Sequence, residues 1–387
     1  MESNDQIYAK LQKHLDNQAV GFPATKSGVE IKILKRIFSP EEAELTTYLS
    51  YKFEPLEKIY QSVQHLVASP DQLETLLDHL QTKGGVIYKI IEGKKHYCCV
   101  PFVVGMYEFQ LNRLSPEFIE EVDQYTSDRA FGVAFLSTRI PQMRTIPISK
   151  SIHPKHNASS FDETKMLLEK AGGPFVIFEC ICRKKRTIQG RSCKTTDRKE
   201  TCLGIGFSAQ MAITKNVGRK ISKSEAMTIL EQNQSDGLVL QPSNTIEPDF
   251  ICSCCGCCCG LLSMHKILPK PLDYWATNFY AVVDTQTCQG CGSCEKRCQV
   301  GAVKVSEKEQ CAAVNLDRCI GCGNCVSVCP TESIFLKKKP IETIPPQTRE
   351  ELYNIIMENK KGKLGKLMLT GKLFYDAFRT GQTHLLK

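Results

Sequence analysis

The chain has 387 residues and a formal net charge of +8. Hydrophobic residues make up 42% of it and charged residues 24%, which fits a folded protein of two or three domains and excludes wholesale disorder. Met1–Lys10 is too polar to begin a secretory signal, and no apolar run approaches the ~20 residues of a membrane span. We therefore expect a cytoplasmic protein with no membrane span.

Cysteine is the outlier of the composition. The chain has 21 cysteines, and 19 of them lie between Cys180 and Cys329. The cytosol keeps thiols reduced, and an odd number of cysteines cannot all pair. The count therefore favours metal or redox chemistry over a disulfide scaffold.

Residues 31–110 carry signals for three helices followed by a hairpin. Ser39 and Ser69 each precede a proline and a helical pattern, as N-cap residues do, and residues 55–65 are also helical in pattern. Residues 86–100 are typical of two strands joined by a short turn. This order predicts a winged-helix-like domain.

The charge of this domain argues against DNA. The would-be recognition helix, Ser69–Lys83, has a net charge of −2, whereas DNA binding needs cations that face phosphate. Lys89, Lys94 and Lys95 in the hairpin are a partial counter-signal. We expect a docking or structural role and only weak DNA binding.

Residues 111–173 form a connecting region with a proline-punctuated stretch at 140–154, and residues 174–270 form a cysteine-rich domain. A short strand at 176–178 leads into the first cysteine block: Cys180, Cys182, Cys193 and Cys202. We expect Cys180 and Cys182 on an extended segment and Cys193 and Cys202 on a loop. Arg183 and its basic neighbours favour thiolate over thiol. Four such thiolates predict an iron–sulfur cluster, with a structural zinc ion as the alternative.

A second block places six cysteines in eight residues: Cys252, Cys254, Cys255, Cys257, Cys258 and Cys259. Free thiols at this density would be an oxidation hazard. We expect the two blocks to converge and to form at least one further iron–sulfur site, with ten thiolates sufficient for two. A non-cubane cluster and a metal-free redox patch are the other hypotheses.

The strongest signal is a repeat within residues 280–337, where two runs share the spacing of bacterial 4Fe-4S ligands. In such pairs the fourth cysteine of each run binds the cluster of the other run. One predicted ligand set is Cys288, Cys291, Cys294 and Cys329. The other is Cys298, Cys319, Cys322 and Cys325. Gln299 stands where the pattern has proline, which we expect to affect only the local turn, and Cys311 fits no ligand position.

The repeat resembles dicluster bacterial ferredoxins. More of the chain resembles a family of iron–sulfur proteins of anaerobic bacteria and archaea, which join a winged-helix-like segment to the two cysteine blocks and to a C-terminal ferredoxin domain. Pro101–Leu114, Glu200–Gly206 and Ile251–Gly260 carry this second resemblance. The family implies electron transfer in anaerobic metabolism.

The predicted fold class is therefore α+β and multi-domain, and it ends in a basic helical tail at residues 338–387. The first functional hypothesis is an electron carrier or a subunit of a redox complex, rather than a stand-alone enzyme, whose basic tail docks a redox partner with an acidic surface. A redox-sensing transcription regulator is the second. An oxidoreductase subunit with a catalytic cluster in the middle block is the third. The chain shows no nucleotide-binding motif, and no catalytic residues are assigned.

Overall fold

A computed structural model describes residues 4–138, 140–151, 162–306 and 308–382. Part of the proline-punctuated stretch at 140–154 and the last residues of the predicted tail lie outside these ranges. Helices and antiparallel sheets are mixed along the chain, which is an α+β architecture. The chain divides into two compact units: unit 1 comprises Met1–Arg139, Thr214–Val217 and Tyr353–Leu369, and unit 2 comprises Ile140–Ile213, Gly218–Leu352 and Thr370–Lys387.

Unit 1 begins with helices and a small sheet in which β3 lies between β1 and β2. Its elements in chain order are α1 (Asn4–Asn17), α2 (Val29–Ile37), α3 (Pro40–Thr46), β1 (Glu54–Pro55), α4 (Leu56–Val63), α5 (Pro70–Lys83), β2 (Val86–Ile91), β3 (Lys94–Cys99), α6 (Pro116–Ser127) and α7 (Arg129–Phe135).

The predicted helix starts in unit 1 are confirmed by their caps. Ser39 and Glu42 form a capping box at the start of α3. The Ser69 hydroxyl accepts the backbone N–H of Gln72, and α5 ends at Gly84 in the left-handed conformation. Helix α1 was not predicted, although its buried positions follow the helical period.

The hairpin lysines of unit 1 are engaged within the unit. Lys94 pairs with Glu57 at 2.7 Å, and Lys95 pairs with Asp78 at 2.6 Å. The ammonium group of Lys89 lies 4.8 Å from the ring centroid of Phe53. These contacts weaken the partial indication of DNA binding that the three lysines provided.

Unit 2 contains most of the remaining elements. In chain order they are α8 (Thr164–Lys170), β4 (Phe175–Glu179), α9 (Ile181–Ile188), β5 (Glu200–Ile205), α10 (Phe207–Thr214), β6 (Arg219–Ile221), α11 (Lys223–Asp236), β7 (Val239–Pro242), β8 (Phe250–Cys254), α12 (Gly260–Ile267), β9 (Phe279–Val283), α13 (Ser293–Arg297), β10 (Val303–Ser306), β11 (Cys311–Val314) and β12 (Ile334–Lys338). The tail contributes α14 (Arg349–Glu358) and α15 (Lys363–Arg379).

A five-stranded antiparallel sheet of order β6-β4-β5-β8-β7 organises the cysteine-rich block. Buried aliphatic side chains, among them Ile177, Leu203 and Ile251, form the core on one face of this sheet. In the register of β5 with β8, Leu203 is opposite Ile251. The next position along therefore brings Cys202 level with Cys252, since the strands are antiparallel.

The cysteine repeat folds around two antiparallel pairs, β9 with β12 and β10 with β11. Its core is continuous with that of the preceding block: Val239, Cys254 and Leu262 pack in the same cluster as Phe279 and Ile334. None of the helices in the described ranges combines the length and the apolar character needed to cross a bilayer.

Candidate metal centres

The first predicted ligand set of the repeat, which we call set 1, surrounds one cavity. Cys288, Cys291, Cys294 and Cys329 all line it, together with Val283, Val305 and Ile334. Cys291 is exposed and Cys294 is buried. Cys329 comes from the second run, so the fold brings the fourth cysteine of one run to the first three of the other.

Close backbone approach shapes the loop of set 1. Gly290 has φ of +62°, and a Cβ there would lie 2.3 Å from the carbonyl oxygen of Gln310. A side chain is excluded, so the loop can lie directly against β11. The N–H of Ala312 then donates to Cys288 Sγ at 3.4 Å, which lowers the pKa of that thiol.

The other four cysteines of the repeat, set 2, are more deeply buried. Cys319 and Cys325 are each 7% exposed. Burial, together with the nearby Cys298 and Cys319, raises the pKa of Cys322 to about 12. Backbone N–H groups of Ala281 and Ala302 donate to Cys319 and Cys298 at 3.3 and 3.2 Å.

These two sets are the deciding observation. Residues 281–336 match the family model of a 4Fe-4S dicluster domain. No curated protein and no solved structure matches the chain. The donor chemistry of the dicluster domain fits its name, since eight thiols lie in two groups, with a cavity at set 1 and N–H donors aimed at sulfur in both.

Six of the ten cysteines in the middle block form a closed ring of thiol contacts, which we call the six-thiol ring. Each sulfur contacts two others in the order Cys180, Cys182, Cys259, Cys254, Cys252, Cys202 and back to Cys180. Both sequence blocks contribute three members, so the structure brings the two blocks together.

The sheet explains why these six converge. Cys252 and Cys254 are alternate residues of β8 and share a face, while Cys202 lies on the neighbouring strand β5. Cys180 caps α9 and Cys182 lies in its first turn, and Cys259 caps α12. The expectation of an extended segment for Cys180 and Cys182 and of a loop for Cys202 is wrong. Cys180 and Cys182 lie at the start of α9, and Cys202 lies on strand β5.

Burial and mutual contact set the protonation of the ring. Hydrogen bonds from Cys182 and Cys202 lower the pKa of Cys180 well below its ordinary value. The pKa of Cys182 is raised well above its ordinary value by its contact with Cys180. Metal ligation by these thiols requires that they lose their protons.

Arg183 lies between the ring and the remaining cysteines. It is 6% exposed, and its guanidinium group donates to the Ser253 carbonyl at 3.3 Å and to the hydroxyl of Thr201. Burial alone would lower its pKa, but the charges of Cys180 and Cys202, among others, raise it. The positive charge of Arg183 therefore offsets the negative charge of thiolates both in the ring and at Cys255.

The other four cysteines form a separate and tighter group, the four-thiol site: Cys193, Cys255, Cys257 and Cys258. All four sulfurs lie within 4.8 Å of one another. Cys193 comes from the loop after α9, and the other three come from the turn between β8 and α12. Cys193 was predicted to group with Cys180, Cys182 and Cys202, and the structure separates it from them.

Gln299 joins the dicluster domain to this turn. Its side-chain oxygen accepts the N–H of Gly256 at 2.7 Å. A Cβ on Gly256 would lie 2.1 Å from the carbonyl oxygen of Gln299, so only glycine permits the approach. The residue that departs from the ferredoxin pattern thus has a longer-range contact than the local effect expected from sequence.

Cys311 is not a buried packing residue. It is partly exposed on β11, and its sulfur contacts that of Cys288 in set 1. The short separation between Cys311 and the first cysteine run was a clue in the sequence. The antiparallel pairing of β10 with β11 brings the chain back to the loop of that run.

Proposed function

We propose that this protein is an iron–sulfur electron-transfer protein or a subunit of a redox complex. Set 1 and set 2 each hold a 4Fe-4S cluster, and the six-thiol ring holds a further iron–sulfur cluster. When bound, these groups supply one-electron redox chemistry, and the protein supplies ligands, burial and N–H donors that tune it. The matched dicluster domain supports the first part, and the ring of six buried thiols supports the second.

One observation carries the idea of electron transfer between the domains. Cys252, Cys254 and Cys259 of the ring pack in the same hydrophobic cluster as cysteines of sets 1 and 2. The proposed clusters would thus border a single hydrophobic core. A low-dielectric path of this kind favours transfer within the protein over loss to solvent.

The exposure of the ligands gives this path a direction. Cys291 of set 1 is exposed, whereas Cys319 and Cys325 of set 2 and most of the ring are buried. We infer that the cluster in set 1 exchanges electrons with the partner, that the cluster in set 2 relays them, and that the ring holds the innermost cluster.

A basic groove beside the dicluster domain suits an acidic partner. Lys266, Lys296, Lys304 and Arg318 line it together with a single acidic residue, Glu295, with which Lys304 pairs at 2.8 Å. Charge of one sign around a recess steers oppositely charged proteins toward it. We propose that the redox partner docks here through an acidic surface, in addition to the basic tail that the sequence indicated.

The regulator hypothesis receives less support. The hairpin lysines of unit 1 contact carboxylates or an aromatic ring, and α5 carries a net charge of −2. We therefore propose that the helices and hairpin of unit 1, of winged-helix type, dock a protein or brace the fold. The cytoplasmic and anaerobic setting is part of the same proposal.

The test is anaerobic purification followed by iron and sulfide analysis and EPR spectroscopy of the reduced protein. We expect at least eight iron and eight sulfide from the dicluster domain and about twelve or more in total. Stepwise reduction should give two interacting 4Fe-4S signals and a further iron–sulfur signal. A fully loaded protein with only four iron would refute the dicluster assignment, and only eight would refute the cluster in the ring.

A further inference from the structure

The four-thiol site has a geometry of its own. Cys193 Sγ lies 3.6 Å from Cys255 Sγ and 3.7 Å from Cys257 Sγ, and Cys257 Sγ lies 3.6 Å from Cys258 Sγ. Among the described residues, this is the group whose sulfurs all lie within 4.8 Å of one another, and neither set of the dicluster domain is as tight.

These distances can be compared with those of the two candidate occupants. Four sulfurs around one tetrahedral ion, with metal–sulfur bonds of about 2.3 Å, lie about 3.8 Å apart. In a cubane each thiolate is carried outward by its own iron, so the four ligand sulfurs lie roughly 6–7 Å apart with bonds of that length. The observed spacing fits the first and is far too short for the second. The six-thiol ring is more open, because no three of its sulfurs all lie within 4.8 Å of one another.

The surroundings of the four sulfurs suit a closed, charged site. The N–H of Lys194 donates to Cys257 Sγ at 3.4 Å, and the N–H of Thr195 donates to Cys193 Sγ at 3.4 Å. Arg183 Nη1 lies 3.9 Å from Cys255 Sγ. Such outer contacts orient thiolate ligands and offset their negative charge.

The loop that carries Cys193 needs an anchor. The residues around it are mostly exposed and offer little apolar surface to bury, and Thr196 and Arg198 hold the loop to Asp236 at 2.6 and 2.8 Å. A metal ion bound both by Cys193 and by the turn after β8 would hold this loop in place without a hydrophobic core, as structural metals do in small loops.

We propose that Cys193, Cys255, Cys257 and Cys258 bind a single tetrahedral Zn²⁺ ion, separate from the iron–sulfur chemistry. Zinc has no redox chemistry and takes four thiolates in closed structural sites. The ten middle cysteines thus divide between a redox ring and a structural ion. This inference stands independently of the electron-transfer proposal, because either site can be present without the other.

The wild-type protein gives the first test. It is produced in medium containing both iron and zinc, purified anaerobically, and analysed for metals and by X-ray absorption at the zinc edge. We expect one zinc per chain with four sulfur neighbours at about 2.3 Å and no neighbouring metal. Less than one-tenth of an equivalent of zinc, or zinc with oxygen and nitrogen neighbours, would overturn the proposal.

Matched variants give the second test. Cys193→Ser should remove the zinc and leave the iron and sulfide counts and the EPR signals unchanged. Cys202→Ser, a change of the same kind in the ring, should lower iron and leave zinc in place. Loss of about four iron and four sulfide from Cys193→Ser would show a cubane there and refute the single ion. The wild-type spectrum decides the question if either variant fails to fold.

Discussion

Gly256 offers a sharp test of the contact between the middle block and the dicluster domain. In Gly256→Ala the new Cβ would lie 2.1 Å from the carbonyl oxygen of Gln299 and 2.7 Å from Lys266 Nζ. The lysine can move, but the backbone carbonyl cannot do so without shifting Cys298 beside it. The turn and the dicluster loop must therefore separate.

The expected cost follows from two contributions. Overpacking of a close contact costs about 1–3 kcal/mol. Separation also lengthens the 2.7 Å hydrogen bond from the Gly256 N–H to the Gln299 side chain, and the loss of one such bond costs about 1 kcal/mol. We therefore expect Gly256→Ala to lower the free energy of unfolding by about 2–4 kcal/mol.

The assay is anaerobic guanidinium unfolding of the metal-loaded protein, followed by circular dichroism. Gly260→Ala is the matched control, because a Cβ at Gly260 meets nothing within 4 Å and the residue begins α12. It should leave stability unchanged or raise it by about 0.5–1 kcal/mol. Equal unfolding midpoints for the two variants would refute the close packing described above.

Three further predictions concern ligands and charges. Cys298→Ser should abolish the EPR signal of the cluster in set 2 and leave that of set 1. Cys294→Ser should abolish the signal of set 1 and leave that of set 2. Selective loss of the set 1 signal in Cys298→Ser would show that the fourth cysteine of each run binds the cluster of its own run. Arg183→Met should lower the reduction potential of the ring cluster, measured by redox titration, because a nearby positive charge stabilises the reduced cluster. Arg183→Lys keeps the charge and should leave most of the potential unchanged. An unchanged potential in Arg183→Met would exclude an electrostatic role for Arg183. Burial lowers the pKa of Lys215 to about 7 from its ordinary value of 10.5. Between these two pH values the unfolded chain binds more protons than the folded protein, so the free energy of unfolding should rise with pH. Lys215→Met should flatten that rise in unfolding experiments, and an unaltered pH profile would contradict the prediction.

The dicluster domain was predictable because its spacing is local. Three cysteines at intervals of three residues must lie on one short loop, and the repeat supplies the fourth ligand. Helix starts at Ser39 and Ser69 were predictable for the same reason, since a cap and its partners lie within three residues of each other.

The partition of the middle cysteines was not predictable from spacing. Cys254 and Cys255 are adjacent in sequence, yet one belongs to the ring and the other to the four-thiol site. The end of β8 decides this, because alternate residues on a strand share a face and the following turn changes direction. Where that strand ends depends on pairing with β5 and β7, which is long-range information.

The amide of Gln299 has a consequence for protein engineering. A free-standing ferredoxin carries proline at this position in its usual pattern and so offers no side-chain acceptor to the N–H of Gly256. Transplanting such a ferredoxin into this chain would leave that donor unpaired and the turn of Cys255 and Cys257 without its support. The dicluster domain is thus not an interchangeable module, and chimaeras should keep residues 252–260 and 298–300 from the same parent.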